Sequence, residues 1–333
     1  MATKKAPRAQ TLYAFCPSYA VQGPRERARY LASARAWGRS AGLRVTASPL
    51  LSRYLGAGAW LPVEARVADL TSALSHDVLW ACRGGYGCID LVRPILAARP
   101  RGRPRLIGYS DVTVLHACWR VRGWGETYYG NLGGAEPGTR AAATLRPLLR
   151  GQALEVGPRE SAAVRVLRPG RAAGPCFAAC LTVLAGLCGT PAQPDLRDHV
   201  LCIEDIDEHA YQVDFALNQL WLAGALEGIV ALAGGTFIAQ HAPEYTGPTA
   251  LEILKAWGDR LGVPVLARLP FGHMPDAMFL ANGRPVEVRA GADGAWSLRF
   301  AAAPRRRQRH PDRKTGGDDG TRTRNTQIDN LVL

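Results

Sequence analysis

The stretch RLIGYSDVTVLHACWRVRG, residues 105–123, decides how this chain is read. A short apolar run ends at Gly108-Tyr109, Ser110 follows, and a helical pattern begins at once and stops at Gly123. A strand that turns directly into a helix is half of a βαβ unit. A serine at such a turn has an exposed hydroxyl and lies near the backbone N–H donors of a helix start. That is the geometry a nucleophile needs. The second glycine of a G-x-S-x-G elbow is missing, since Val112 stands there. The segment alone is read better as a plain helix cap by Ser110 or Asp111.

The residues on either side extend the rhythm. TLYAFCPS (11–18) reads as strand then loop, RERARYLASARAWGRSAG (25–42) as an amphipathic helix ended by Gly42, and LRVTASP (43–49) as a strand. VEARVADLTSALS (63–75) reads as a helix, DVLWACRGG (77–85) as a strand and IDLVRPILAA (89–98) as a helix. This alternation predicts an N-terminal flavodoxin-like or Rossmann-like α/β domain over residues 11–137, built on a mostly parallel sheet. Ligands of such sheets bind at the carboxyl ends of the strands. Arg83-Gly84-Gly85 and Gly108-Tyr109-Ser110 both fall at such ends.

Residues 138–172 turn rich in Arg, Gly and Pro and read as a crossover linker. A second, smaller, β-rich α/β domain is expected over 173–303. HVLCIEDI (199–206), GIVALAGG (228–235), PVLARLP (264–270), PVEVRAG (285–291) and AWSLRF (295–300) are its strands. HAYQVDFALNQLWLAGAL (209–226) and PTALEILKAWGDRLG (248–262) are its helices, and RAAGPCFAACLTVLAGLCGT (171–190) is expected to pack as another. Residues 304–333, charged and poor in apolar groups, are expected to be a disordered basic tail.

With 333 residues, 47% of them hydrophobic and 21% charged, the chain is an ordinary globular protein of about two domains. It has no apolar run of membrane-spanning length and no signal-peptide core near its start, so a cytoplasmic location without a membrane partner is expected. The eight cysteines form no C-x-x-C pair and read as free, mostly buried thiols. Cys176, Cys180 and Cys188 lack the spacing of a metal knuckle, so no metal is expected. The net charge of +13 is spread over scattered arginines rather than clustered in a stripe, and no nucleic-acid partner is expected.

Three more segments could carry chemistry. Arg83-Gly84-Gly85-Tyr86-Gly87 could bring backbone donors beside Ser110, or be a simple βα turn. Glu204 and Asp205 close a strand, where a carboxylate can orient a histidine or merely favour a helix start. Gly272-His273 could project an imidazole as general base, or be an ordinary loop.

Taken together, RGGYG, GYSDVT, GNLGG, IEDIDEHAYQVD and GH resemble the LD-carboxypeptidase family of serine peptidases, which includes the microcin C immunity proteins. Pro17-Ser18, Arg66 and Gly189-Thr190-Pro191 add to the resemblance, which spans about residues 11–290. It implies a catalytic triad of Ser110 as nucleophile, His273 as base and Glu204 as orienting acid. Backbone N–H groups of Gly85 and Asp111 would form the oxyanion hole, and Arg83 and Gly84 would meet the substrate. No cofactor is implied. A murein tetrapeptide losing its terminal D-alanine in cytoplasmic cell-wall recycling is the implied substrate, and a homodimer the implied assembly.

Two positions depart from the family pattern. Ala178-Ala179-Cys180-Leu181 stands where Gly-Gly-Asn-Leu is usual, and Phe215 replaces the arginine of Tyr-x-x-Asp-Arg. An amidase acting on aminoacyl-nucleotide antibiotics is the nearest alternative. Trp80, Trp124 and Trp221 are the candidates to stack on a base. A non-catalytic relative is the third reading.

Overall fold

Strands β1 (Thr11–Phe15), β2 (Arg44–Ala47), β3 (Val78–Ala81), β4 (Arg105–Gly108) and β5 (Thr127–Tyr129) pair in parallel in the order β2-β1-β3-β4-β5. That is the doubly wound order of flavodoxin-like sheets, with the switch of direction between β1 and β3. The structure is a computed structural model that describes residues 10–100, 102–131, 138–238 and 244–304. The sequence-predicted tail falls almost wholly outside these residues, as do Leu132, Gly133 and Gly134 of GNLGG.

β1, β3 and β5 are buried along their whole length because helices cover both faces. Helices α1 (Pro24–Ala41) and α5 (Arg140–Leu149) send Leu31, Trp37, Leu145 and Leu148 into one core. Helices α2 (Val63–Ala73), α3 (Val92–Ala97) and α4 (Thr113–Arg122) send Leu70, Ile95 and Leu115 into the other.

Among the described residues the second sheet has eight strands. β8 (Gly170–Cys180), β9 (Val200–Ile206), β10 (Ala231–Ile238) and β11 (Val265–Ala267) run parallel, and β7 (Arg165–Arg168) pairs antiparallel with β11. On the far side of β8, β13 (Pro285–Ala290), β14 (Trp296–Phe300) and β6 (Leu154–Val156) continue antiparallel. Helices α6 (Leu181–Ala185), α7 (Ala210–Leu222) and α8 (Ala250–Leu261) complete this β-rich part. No helix among the described residues is long and apolar enough to cross a membrane.

The helix expected at 171–190 is mostly strand: β8 takes residues 170–180 and α6 only the next five. Alanines raise helix propensity, but Phe177 to Cys180 are buried and pair along β9, and a central strand with both faces covered suits small residues. The Arg/Gly/Pro-rich segment likewise holds more structure than its composition suggests. Thr139 caps α5 by accepting from Ala142 N at 3.1 Å.

The two sheets are tied together, which matters because the candidate residues are shared between them. β12 (Leu280–Asn282) leaves the second half of the chain to pair with β5 in the first sheet. Asn282 then holds Ala178 of β8 with both ends of its amide, at 2.7 and 3.0 Å. Buried Arg284 pairs with Glu126. Each apolar core also runs through both sheets, one joining Leu79 to Leu201 and the other Trp80 to Cys202.

Candidate active site

Ser110 sits where β4 ends and a 3₁₀ turn leads into α4. Its φ is 62°, a left-handed value rarely taken by serine and found mostly where structure around it imposes it. Neither the 3₁₀ turn nor α4 is capped by a side chain, so the capping role weighed for Ser110 and Asp111 is not the one they play. Ser110 is half-buried, and its Oγ makes no hydrogen bond among the described residues. Asp111 is buried and turned inward. Its Oδ2 accepts from Ser18 Oγ at 2.6 Å and from Cys88 N at 2.9 Å. Burial pushes its carboxyl up from the ordinary range. Asp111 thereby binds the loops after β1 and β3 to the Ser110 turn.

Arg66, reaching from α2, finishes that scaffold. Its fully buried guanidinium donates to Leu61 O, Pro17 O, Gly87 O and Asp90 Oδ2 at 2.6–3.0 Å. These four acceptors lie on three segments, after β1, before α2 and after β3, so one fixed fork sets their spacing. Gly84 is thus held beside the serine, while Gly85, at φ 118°, packs against the Tyr19 ring. A Cβ at Gly84 would lie 2.9 Å from Ser110 Cβ and 3.2 Å from its Oγ. Gly84→Ala should therefore shift the serine and lower kcat/KM by roughly 100-fold with little loss of thermal stability. Steady-state kinetics beside a melting curve checks this.

Glu204 lies two residues before the end of β9 in the second sheet and is fully buried. Its Oε2 accepts from His273 Nδ1 at 2.8 Å and from His273 N at 3.2 Å. The His273 loop is pinned to β10 by Thr236, whose N and Oγ1 both donate to Phe271 O at 3.1 Å. Gly272, at φ 101°, is needed for this approach, because a Cβ there would come within 2.5 Å of Glu204 Cγ and Oε2. A carboxylate oxygen accepts and a ring N–H donates, so Nδ1 of His273 is the donor in this pair; in a neutral ring Nε2 is then the acceptor. The ring of Tyr109, next to Ser110 in the chain, lies 5.0 Å from the His273 ring.

Tyr129 joins the two halves. Its hydroxyl accepts from Ser110 N at 3.1 Å and donates to Glu204 Oε1 at 2.6 Å. Sequence reasoning missed it, because nothing in Thr127-Tyr128-Tyr129 marks one tyrosine over the other. Only the period of two in a strand separates them, and Tyr128 turns the other way to meet Glu126.

Family models for the LD-carboxypeptidase N-terminal domain and C-terminal domain match residues 13–130 and 173–288. A Streptomyces coelicolor protein named as a carboxypeptidase is 33% identical over 235 residues, covering 68% of this chain and 74% of that one. The chain belongs to the LD-carboxypeptidase family. A Bacillus subtilis protein named as a murein peptide carboxypeptidase is also 33% identical, over 66% of this chain and 72% of its own. The crystal structure of muramoyltetrapeptide carboxypeptidase from Oxalobacter formigenes shares the fold, with a TM-score of 0.71 and 23% identity over 88% of this chain and all of that one.

At the two positions read in the sequence as departures from the family pattern, the structure shows what the residues of this LD-carboxypeptidase relative do. Cys180 pairs in register with Glu204 on β9. Its thiol donates to the buried Asp205 carboxylate at 3.3 Å, and its backbone N–H donates to Thr113 Oγ1 at 3.0 Å. Phe215 is 71% exposed on α7, away from any core. Arg83, expected to meet a substrate carboxylate, forms an ion pair with Glu26 at 3.1 Å. A substrate carboxylate would have to compete with Glu26 for it. Trp80 and Trp124 are buried in the cores and present no face to a ligand, and Trp221 lies against Arg260 on the α7–α8 side. The exposed rings near the site are instead Trp60 and Tyr86, which sequence reading did not single out.

Proposed function

We infer that this protein is a serine carboxypeptidase that hydrolyses the amide bond between a diamino acid and a terminal D-alanine in murein tetrapeptide, during cytoplasmic cell-wall recycling. The observation that carries the reading is the pair of His273 with the buried Glu204, hydrogen-bonded at 2.8 Å and one tyrosine hydroxyl away from a serine held at φ 62°. Family membership supports the reaction class. The name of the B. subtilis relative supports the substrate.

In this reading Ser110, His273 and Glu204 act as a triad. His273 Nε2 takes the proton of Ser110 as Oγ attacks the scissile carbonyl. Gly85 N–H and Asp111 N–H receive the oxyanion. Asp111 lies in the first turn of its helix, where backbone donors have no intrahelical acceptor. Ser110 N–H is already taken by Tyr129 and is not among the donors. Glu204 keeps the Nδ1–H tautomer and stabilises the imidazolium. His273 then protonates the leaving D-alanine amine, and water activated by the same imidazole releases the peptide from Ser110. The nucleophile belongs to the part spanning 11–137 and the acid and base to 173–303, so docking of the sheets is a condition of activity.

Incubation with L-Ala-γ-D-Glu-meso-diaminopimelyl-D-Ala is expected to release D-alanine, detected by a D-amino-acid-specific assay. A folded protein that releases none sinks the substrate assignment. One observation favours a second reading, an amidase of aminoacyl nucleotides. Trp60 and Tyr86 are 46% and 49% exposed and meet edge to face at 5.3 Å. Tyr19, stacked on Trp60, fills the space where a Gly85 side chain would stand, so these rings adjoin the oxyanion loop. They offer a surface to a planar base. Release of the amino acid from an aminoacyl sulfamoyl adenosine, with the tetrapeptide untouched, would shift the assignment.

A further inference from the structure

We propose that Tyr129 is a positioning residue that couples the backbone of the nucleophile in one sheet to the acid of the histidine pair in the other. The inference rests on reading Ser110 as the nucleophile. An amide N–H can only donate, so Tyr129 Oη accepts from Ser110 and must spend its own proton on Glu204 Oε1. The sense of both bonds is therefore fixed. Burial, followed by the charge of Glu204, holds the phenol well above the usual tyrosine range, so the hydroxyl stays protonated and remains a donor.

The ring cannot drift, because Tyr129 pairs in register with Gly108 on β4 and with Leu280 on β12. It has no exposed surface and does not reach the substrate. Its two bonds do different work. The one to Ser110 N–H satisfies a donor in a left-handed turn and helps hold the serine at φ 62°. The one to Glu204 occupies Oε1 and leaves Oε2 to His273. Losing the hydroxyl would free the serine turn and remove one donor from a buried carboxylate, which disfavours its ionised form.

The test uses the full chain and a readout independent of substrate: the rate at which a fluorophosphonate modifies Ser110, followed against pH. Tyr129→Phe is expected to slow modification about 10- to 100-fold, the range expected for a lost hydrogen bond to a charged group. The acid limb of the profile should move to higher pH. Tyr128→Phe should leave both unchanged. Site-specific 3-fluorotyrosine at 129, a stronger donor of the same shape, should move the acid limb to lower pH. It also decides the matter if the Phe variant fails to fold. A wild-type rate and an unmoved acid limb in the Phe variant overturn the proposal while leaving the nucleophile in place. So does an acid limb that ignores the fluorotyrosine. A wild-type protein that is never modified at Ser110 removes the nucleophile and the coupling together.

Discussion

Ser110→Ala is expected to lower turnover of the tetrapeptide by at least about 10⁴-fold, while the melting temperature stays near that of the wild type. The substitution deletes only Oγ, which has no hydrogen-bond partner among the described residues. The backbone bond from residue 110 to Tyr129 Oη persists, and alanine meets the same left-handed φ of 62° as serine. No structural interaction is lost, so a large kinetic effect can be assigned to the missing nucleophile. Residual turnover would come from the oxyanion donors and from binding alone. Turnover within about tenfold of wild type would mean that water is activated directly and that no acyl-enzyme forms.

Glu204→Gln is expected to cost roughly 10³- to 10⁴-fold in kcat/KM, the scale of removing the orienting charge from a triad. The geometry explains why an amide of the same shape fails. If the Gln oxygen faces His273, its NH₂ faces Tyr129 Oη, whose proton then points at another donor. If the amide is turned round, its NH₂ faces Nδ1 and forces the proton onto Nε2, so His273 can no longer take the proton of Ser110. Either way a buried polar group is left poorly satisfied, and a stability loss of about 1–3 kcal/mol should accompany the kinetic one. Calorimetric melting and kinetics on the same sample separate the two. Wild-type kcat/KM in a folded Gln variant would remove Glu204 from the mechanism.

The parts of this protein that were legible in its sequence share a cause. β1, β3, β4 and β9 each end in a short polar or glycine-rich turn, so an apolar run followed by a break marks both the strand and the edge of the sheet where ligands bind. Ser110, Gly85 and Glu204 could be placed from that pattern. β8 could not, because its alanines suit a helix unless one knows that both faces are covered. β5 and β12 have three residues each, too few to show a period.

The contacts that assemble the site were hidden for a different reason. Tyr129 to Glu204 spans 75 residues and Arg284 to Glu126 spans 158, and neither has a local signature. Gly272-His273 was visible as a motif. Its meaning lay in the 2.5 Å that a side chain at 272 would leave to Glu204, a quantity that exists only after the loop following β11 is packed on β9. Arg83 shows the reverse case. It follows β3 at the edge where the pattern put it, but Glu26, four residues from Tyr30 on an N-terminal helix, was not foreseen as its partner.

The central claim is that a serine on one sheet is activated by a histidine carried on the other. Peptide mapping of the protein after fluorophosphonate treatment, with His273→Ala run in parallel, tests it most directly. The account predicts one modified peptide, labelled at Ser110, with the rate falling at least about 100-fold in the His273 variant. Equal labelling of Ser110 without His273, or a label on another residue, would contradict it.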